Sequence, residues 1–439
     1  MDNITHSLAG LVLASAATQL RARHVPSQAV TDPAFGVAAA FTGIVGANLP
    51  DIDVAWSAAL QAAGVYDTLL SLLHHRGYTH TLLAALVGVP LLWGMAIRVH
   101  RWKSAPSART GALRRDDRRW LFALAVVAIL GHIGLDSTND YGVHPLSPFV
   151  NAWTYGDTVF IIEPWLWIVA VPLLLRTTTS RVPRLMLWGV LLLGLSLSWI
   201  VPQVSTVAAV VATVGAAASV LLSRQLSPMA TALPAIAAWA MVTLAFAAGT
   251  RVVRAEVYRA AAESGRQGDA MQLVDVLLSP SPANPFCARV IVVETSPSTY
   301  RLTTAWGSAA PRLVSAAWCS RAARTDTTRG ARNLSMTRAT RVPTTAVDWQ
   351  WSWSAPRAQL TALARDNCRL SAWLRFARAP FWVEAGPDSV RVGDLRYDRD
   401  RMSVAAFTFA SRAMDCPVAV PPWARPRERV LLGSRTLTP

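Results

Sequence analysis

The stretch His74-His75-Arg76-Gly77-Tyr78-Thr79-His80 runs directly into Thr81–Val99, TLLAALVGVPLLWGMAIRV. The apolar half carries no charge before Arg98, and a helix that crosses a bilayer needs about 17–25 such residues. The polar half places imidazoles and a guanidinium just ahead of that helix. The join predicts a membrane span with a chemically loaded end.

Further apolar runs lie on both sides: Ile4–Leu20, Phe35–Leu49, Trp120–Leu135, Val159–Leu175, Leu185–Val201, Val204–Leu222 and Thr231–Gly249. Phe35–Leu49 and Trp120–Leu135 are short and read as tilted or partly inserted. Only 15% of the 439 residues are charged, against a usual ~25%, and mean hydropathy is +0.31. That excludes a disordered chain and argues against an ordinary cytosolic enzyme. Met1-Asp2-Asn3 lacks the basic start of a cleaved signal peptide. The expected fold is a polytopic α-helical membrane bundle of about eight spans followed by a soluble α+β C-terminal domain. Residues 1–175 form the helical domain with the chemistry, 176–250 add transmembrane helices, and 251–439 form the extracytoplasmic α+β domain.

Charge sets the orientation. The segment Arg98–Arg119, the pair Arg21 and Arg23, the group Arg176, Arg181 and Arg184, and Arg224 fall on one side of an eight-span chain, which the positive-inside rule assigns to the cytoplasm. Residues 251–439 then lie outside, and Arg251 and Arg254 oppose this count weakly. His24 and His100 fall at basic cytoplasmic ends and read as solvated. The formal net charge is +16, yet only Lys103 among the basic residues is Lys, and no basic helix or zinc finger is present. Nucleic acid is therefore not expected as a partner, whereas anionic membrane lipid is.

All four cysteines, Cys287, Cys319, Cys368 and Cys416, follow residue 250. In an oxidising compartment they can form two disulfides by any of three connectivities. Arg289–Thr295, Tyr300–Thr304, Phe381–Glu384, Ser389–Leu395 and Ser403–Ala410 read as strands, and Arg357–Arg378 as a helix. Trp349-Gln-Trp351-Ser-Trp353 reads as a strand with one aromatic face turned to the core or to the membrane interface.

Every histidine lies at or before His144. Polar clusters interrupt the apolar half at Thr5-His6, at Pro50-Asp51-Ile52-Asp53, at His75–His80 and at His132…Asp136. On the predicted topology all of them reach the outer face. His132 and Asp136, spaced i and i+4, share one helix face. An ionisable group inside a span costs ~2.5–3.5 kcal/mol at mid-membrane, which a bound ion or a partner charge offsets. His and Asp donors without Cys suit Zn²⁺, Mn²⁺ or Fe²⁺. The candidate ligands are His6, Asp51, Asp53, His75, His80, His132 and Asp136. Asp51 or Asp53 is the candidate general base. Arg76 is a candidate stabiliser of substrate charge, or else an ion-pair partner of Asp51 or Asp53.

These clusters resemble the YdjM/YfhP family of membrane-bound, metal-dependent, LexA-binding hydrolases. The shared pattern is Thr5-His6, Pro50-Asp51-Ile52-Asp53, His75-Arg76-Gly77-Tyr78-Thr79-His80, His132…Asp136, Tyr141-Gly142 and Pro148-Phe149. Gly156–Pro164, Asn284-Pro285-Phe286 and Gly393–Tyr397 are also similar to longer members. The family is distantly similar to zinc-dependent phospholipase C and P1-type nucleases, which implies phosphoester hydrolysis with zinc. Asp157 or Glu163 would then stand in for later ligands of those enzymes. The family name also implies a LexA-type partner. With the site facing outward, only the Arg98–Arg119 loop is left for such a contact.

The expected function is hydrolysis of a lipid-like ester by metal-activated water. The alternatives are a metal or solute transporter, since intramembrane His and Asp also mark ion paths, and a scaffold in which metal only ties helices together.

Overall fold

The structure is a computed structural model. It describes all residues except 25–31, 105–113, 267–270, 324–333, 400–401, 404–405, 411–415, 418 and 429–439. The chain forms two compact units. One comprises residues 1–53, 76–147 and 160–245; the other comprises 54–75, 148–159 and 246–439.

The first unit is helical. Its helices are α1 (Asn3–His24), α2 (Pro33–Gly46), α5 (Leu82–Lys103), α6 (Arg115–Asp136), α7 (Pro164–Thr177), α8 (Arg181–Ile200), α9 (Thr206–Ser223) and the start of α10 (Ala232–Arg266). Each apolar run of the sequence thus becomes a helix, but among the described residues five rather than eight are long and apolar enough to cross a membrane. These are α5, α6, α8, α9 and α10. The other three differ for physical reasons. The 14 residues of α2 rise about 21 Å, short of the ~30 Å hydrocarbon layer. Pro164 and the capping Glu163 delay the start of α7. Helix α1 is long, yet it buries Thr5, His6, Gln19 and Arg21 and so is too polar.

Close packing aligns the helix ends. Gly10 of α1 and Gly43 of α2 meet backbone to backbone, and a Cβ at either would overlap the carbonyl of the other. Beyond them, Ala14, Ala17, Phe35, Ala38, Ala96, Leu121 and Leu124 form a buried layer. Of the two histidines read as solvated, His24 is exposed and His100 is not, and Arg21 is buried as well. Arg21 is buried against Asp117 of α6, with Nε 2.6 Å from Oδ1. His100 is buried with Nε2 2.9 Å from Asp32 Oδ2. Both ion pairs join residues remote in sequence, which loop-charge counting treats as independent.

The second unit holds α3 (Ile52–Ala62) from Val54 onward, α4 (Thr68–His74), the end of α10 and the C-terminal sheets. Neither α3 nor α4 was foreseen. Strands β1 (Gln272–Ser281), β2 (Asn284–Thr295), β3 (Thr299–Ser308), β4 (Thr337–Arg338) and β5 (Val347–Pro356) form an antiparallel sheet in the order β1-β2-β3-β5-β4. Val253 and Val257 of α10 pack on it among Val276, Val290, Val292 and Trp349. Trp349 and Trp353 are core residues, as the alternating pattern suggested. A smaller sheet joins β6 (Pro380–Gly386), β7 (Ser389–Asp394) and Phe407–Ala410. The helix expected over Arg357–Arg378 breaks at Asn367. There the backbone is extended and the side chain caps a second helix, so Arg357–Asp366 and Cys368–Trp373 are separate. Of the three connectivities, Cys287–Cys319 and Cys368–Cys416 are formed.

Candidate metal centre

Remote segments of the helical unit deliver donors to one place. Asp51 follows the turn that ends α2. His80 closes the 3-10 turn Tyr78–His80 ahead of α5. His132 and Asp136 lie one turn apart at the end of α6. One ligand atom from each of these four residues lies within 4.8 Å of the others. His80 Nε2 is 3.4 Å from Asp51 Oδ1, 3.2 Å from Asp136 Oδ2 and 3.0 Å from His132 Nε2. His132 Nε2 is 3.6 and 3.5 Å from the same two oxygens. A tetrahedral ion with arms of about 2.0–2.1 Å has ligand-to-ligand edges of about 3.4 Å. The measured separations scatter around that edge, so the donors present fit a small divalent ion.

Neighbouring groups orient these donors. Gly46 has no room for a Cβ against Leu92 and Ala128, so the end of α2 lies close on α5 and α6. The Ala47 carbonyl then sits 2.6 Å from His132 Nδ1, which donates to it and leaves the Nε2 lone pair for a cation. His80 Nδ1 lies 3.0 Å from Thr79 Oγ1, which turns its Nε2 inward. Asp53 holds the turn itself. Its Oδ2 accepts the Arg76 backbone N–H at 2.8 Å and the Thr79 hydroxyl at 3.2 Å. Arg76 occupies the left-handed region at φ 58°, a conformation unusual for a side chain of its size.

The remaining expected site residues take different places. His6 is buried outside the four-donor group. Its Nε2 is 3.1 Å from Asp136 Oδ1, and its ring stacks on His132 with centroids 3.8 Å apart. The Arg76 guanidinium is buried with Nε 3.0 Å from Asp136 Oδ2, donates to Asn139 Oδ1 at 2.9 Å, and lies over the Tyr141 ring. Its carboxylate partner is thus Asp136, not Asp51 or Asp53. His75 caps α4 and belongs to the second unit. Asp157, an expected substitute ligand, is bonded instead to Arg378 and Arg254 of the second unit. Glu163 is a helix cap, accepting the Trp165 N–H at 3.1 Å.

Asn139 and His144 are additions that spacing alone does not flag. His144 is fully buried, and burial pushes it down to about 3 although its ring bonds to the Arg76 backbone. A lone histidine in a loop carries no spacing signal.

Electrostatics favour a cation. Burial alone would raise the Asp51 carboxyl, but the His80 hydrogen bond and His132 hold it down to about 2. Burial opposes a charge on His80, yet Asp136 and Asp51 pull its pKa up. The Asp51 carboxylate is ionised, and a proton competes with a metal for the His80 lone pair.

Residues 1–207 match the family model described as YdjM inner membrane protein. A protein of Bacillus subtilis (strain 168) named "Uncharacterized protein YfhP" is 27% identical over 168 residues, which cover 38% of this chain and 43% of that protein. The match therefore spans less than half the length of that relative. No solved structure matches. Every donor of the candidate centre falls inside the segment that the YdjM inner membrane protein model matches.

Proposed function

We propose that the protein is a membrane-bound, metal-dependent hydrolase acting on a phosphoester or other ester of a lipid-like substrate at the outer membrane face. The carrying observation is the buried set Asp51, His80, His132 and Asp136, spaced for a divalent ion at one end of an apolar helical unit. The chemistry of the donors suits zinc first, then Mn²⁺ or Fe²⁺. When bound, such an ion supplies Lewis acidity that activates water and polarises an ester oxygen.

The chain's own residues supply the rest. Asp51 is the one donor of the four at the solvent edge, which suits it to accept a proton as general base. Asp53 fixes the turn that carries His80, and so acts by positioning. Arg76 is held behind Asp136, where its guanidinium pairs with that carboxylate. His6 orients the other Asp136 oxygen. The outward placement rests on the basic loops and agrees with two disulfides in the second unit, which suit an oxidising compartment.

One observation favours a second reading. Four protein donors can close a tetrahedral shell, as structural zinc sites do. Elemental analysis of the purified full-length protein, paired with a panel of phosphodiester and carboxylester substrates, separates the two. We expect a bound divalent ion, turnover of at least one ester, and loss of both in His132→Ala. A bound ion with no turnover of any ester would make the metal a structural tie. His75→Ala, measured the same way, reads whether that residue adds to the ion count.

A further inference from the structure

The second unit contains a cavity of about 770 Å³ whose wall is dominated by arginine: Arg251, Arg254, Arg378, Arg425 and Arg427, with Tyr258 beside them. That volume lies in the range of small-molecule sites. Not all of this charge is available. Arg378 forms the floor, with Nη1 2.7 Å from Asp157 Oδ1 and Nε 3.0 Å from Asp275 Oδ2. Arg254 shares Asp157 at 2.9 Å, Arg427 reaches Asp275 at 3.3 Å, and Arg425 holds Glu428 at 2.7 Å. Three carboxylates thus face five guanidinium groups, and the cavity keeps a surplus of positive charge.

The surplus has specific carriers. Arg251 is exposed and has no partner among the described residues. Arg425 is buried, and its Nε has no hydrogen-bond partner. A buried donor left bare costs about 1–3 kcal/mol, so the wall is built to meet an acceptor. Arginine beside tyrosine and threonine hydroxyls is the chemistry that grips a phosphate oxygen.

The sequence of α10 indicates where that phosphate comes from. The helix is apolar from Ala232 to Gly249, then turns polar at Thr250, Arg251 and Arg254, with Tyr258 one turn on. The cavity wall begins at Ala247, within the last turn of the apolar run. In a membrane-crossing helix, that change of composition marks headgroup depth.

We infer that this cavity binds the phosphate headgroup of an anionic membrane phospholipid. The inference does not depend on hydrolysis at the metal centre, and its test reads binding rather than turnover. The full-length protein is purified in mixed micelles of phosphatidylcholine and phosphatidylglycerol, and retained lipid is counted by native mass spectrometry. Phosphatidylglycerol should be retained selectively. The double variant Arg251→Gln/Arg427→Gln changes two exposed side chains and leaves Asp275 paired with Arg378. It should weaken that retention at least about tenfold, since each charged hydrogen bond contributes about 1.5–3 kcal/mol. Its thermal unfolding should match that of the wild type.

Unchanged retention in the double variant would overturn the inference. So would an equal loss in Arg181→Gln, an exposed arginine at the start of α8, because that would show generic surface attraction. Complete displacement of the lipid by inorganic phosphate would overturn the lipid as the source.

Discussion

The molecule contains two buried clusters of charge, and they are balanced in opposite ways. In the second unit, Arg378 is matched by Asp157 and Asp275, and Arg396 by Asp394 at 2.8 Å. Guanidinium and carboxylate meet in near-equal number, with the Tyr155 ring under Arg378. In the helical unit, Asp51, Asp53 and Asp136 surround histidines, and among the described residues the cations bonded to them are Arg76 and the Met1 ammonium. The Arg378 and Arg396 pairs are complete in themselves, and the surplus charge of the cavity beside them is carried by Arg251 and Arg425. In the helical cluster, three carboxylates face one guanidinium and one ammonium, and a divalent ion would supply the remaining positive charge. Burying a charge unpaired is expensive, so the same rule makes the paired Arg378 a structural floor and the Asp51, His80, His132 and Asp136 set a candidate cation site.

The sharpest way to break this comparison is to remove one member from each cluster. His132→Ala deletes a donor and should abolish metal binding, read as ion content per chain, while the second unit keeps its stability. The counterpart, Asp157→Ala, should leave metal content unchanged but strip half the support from a buried arginine. A destabilisation of about 3–5 kcal/mol is expected, read by thermal unfolding in detergent. If Asp157→Ala emptied the metal site, or if His132→Ala left it filled, the division of roles would be wrong. A smaller effect should follow from Asp53→Asn. Asp53 orients His80 through Thr79 and the Arg76 backbone rather than joining the four donors, so metal affinity should fall about 10–100-fold without being lost.

The donors were legible in the sequence because the membrane makes them conspicuous. An imidazole or carboxylate at the end of an apolar run is costly enough to demand a reason, and the i, i+4 spacing of His132 and Asp136 names a shared face. What the sequence hides is which donors converge. His6 looks like a ligand of equal rank with Asp51, and only the packing of α1 on α2 places it outside the four-donor group. The ion pairs Arg21–Asp117 and His100–Asp32 were invisible for the same reason: their partners lie 96 and 68 residues apart in the chain. Strand β1 was not foreseen; it ends in Ser279, Pro280 and Ser281, and Pro280 sits where the register with β2 shifts. The helix break at Asn367 was hidden by helix-forming residues on both sides, and it depends on a cap that also reaches the Ala410 carbonyl at 2.6 Å. The disulfide pairing required the sheet, which brings Cys287 at the start of β2 close to Cys319.

Acid should separate the two units with the smallest perturbation. Burial holds the His144 imidazole down to about 3, against about 6.5 in an unfolded chain. Between those values the unfolded state binds the extra proton, so the stability from keeping His144 neutral is present above about pH 6.5 and declines below it. One pH unit under 6.5 the loss is about 1.4 kcal/mol. Asp275 behaves differently. Burial would raise its carboxyl, but the Arg378 charge and hydrogen bonds, followed by Arg427, hold it below the usual range. Its contribution is therefore complete above the unfolded value of about 3.9 and fades only as pH falls further, through the depressed folded value. Acid titration followed by hydrogen exchange should show the helical unit loosening first, from about pH 6.5, and the sheet unit holding until below about pH 4. His144→Gln should delay the first loss, and Asp275→Asn should flatten the second. Simultaneous loosening of both units would mean that the two clusters are not separate in their energetics.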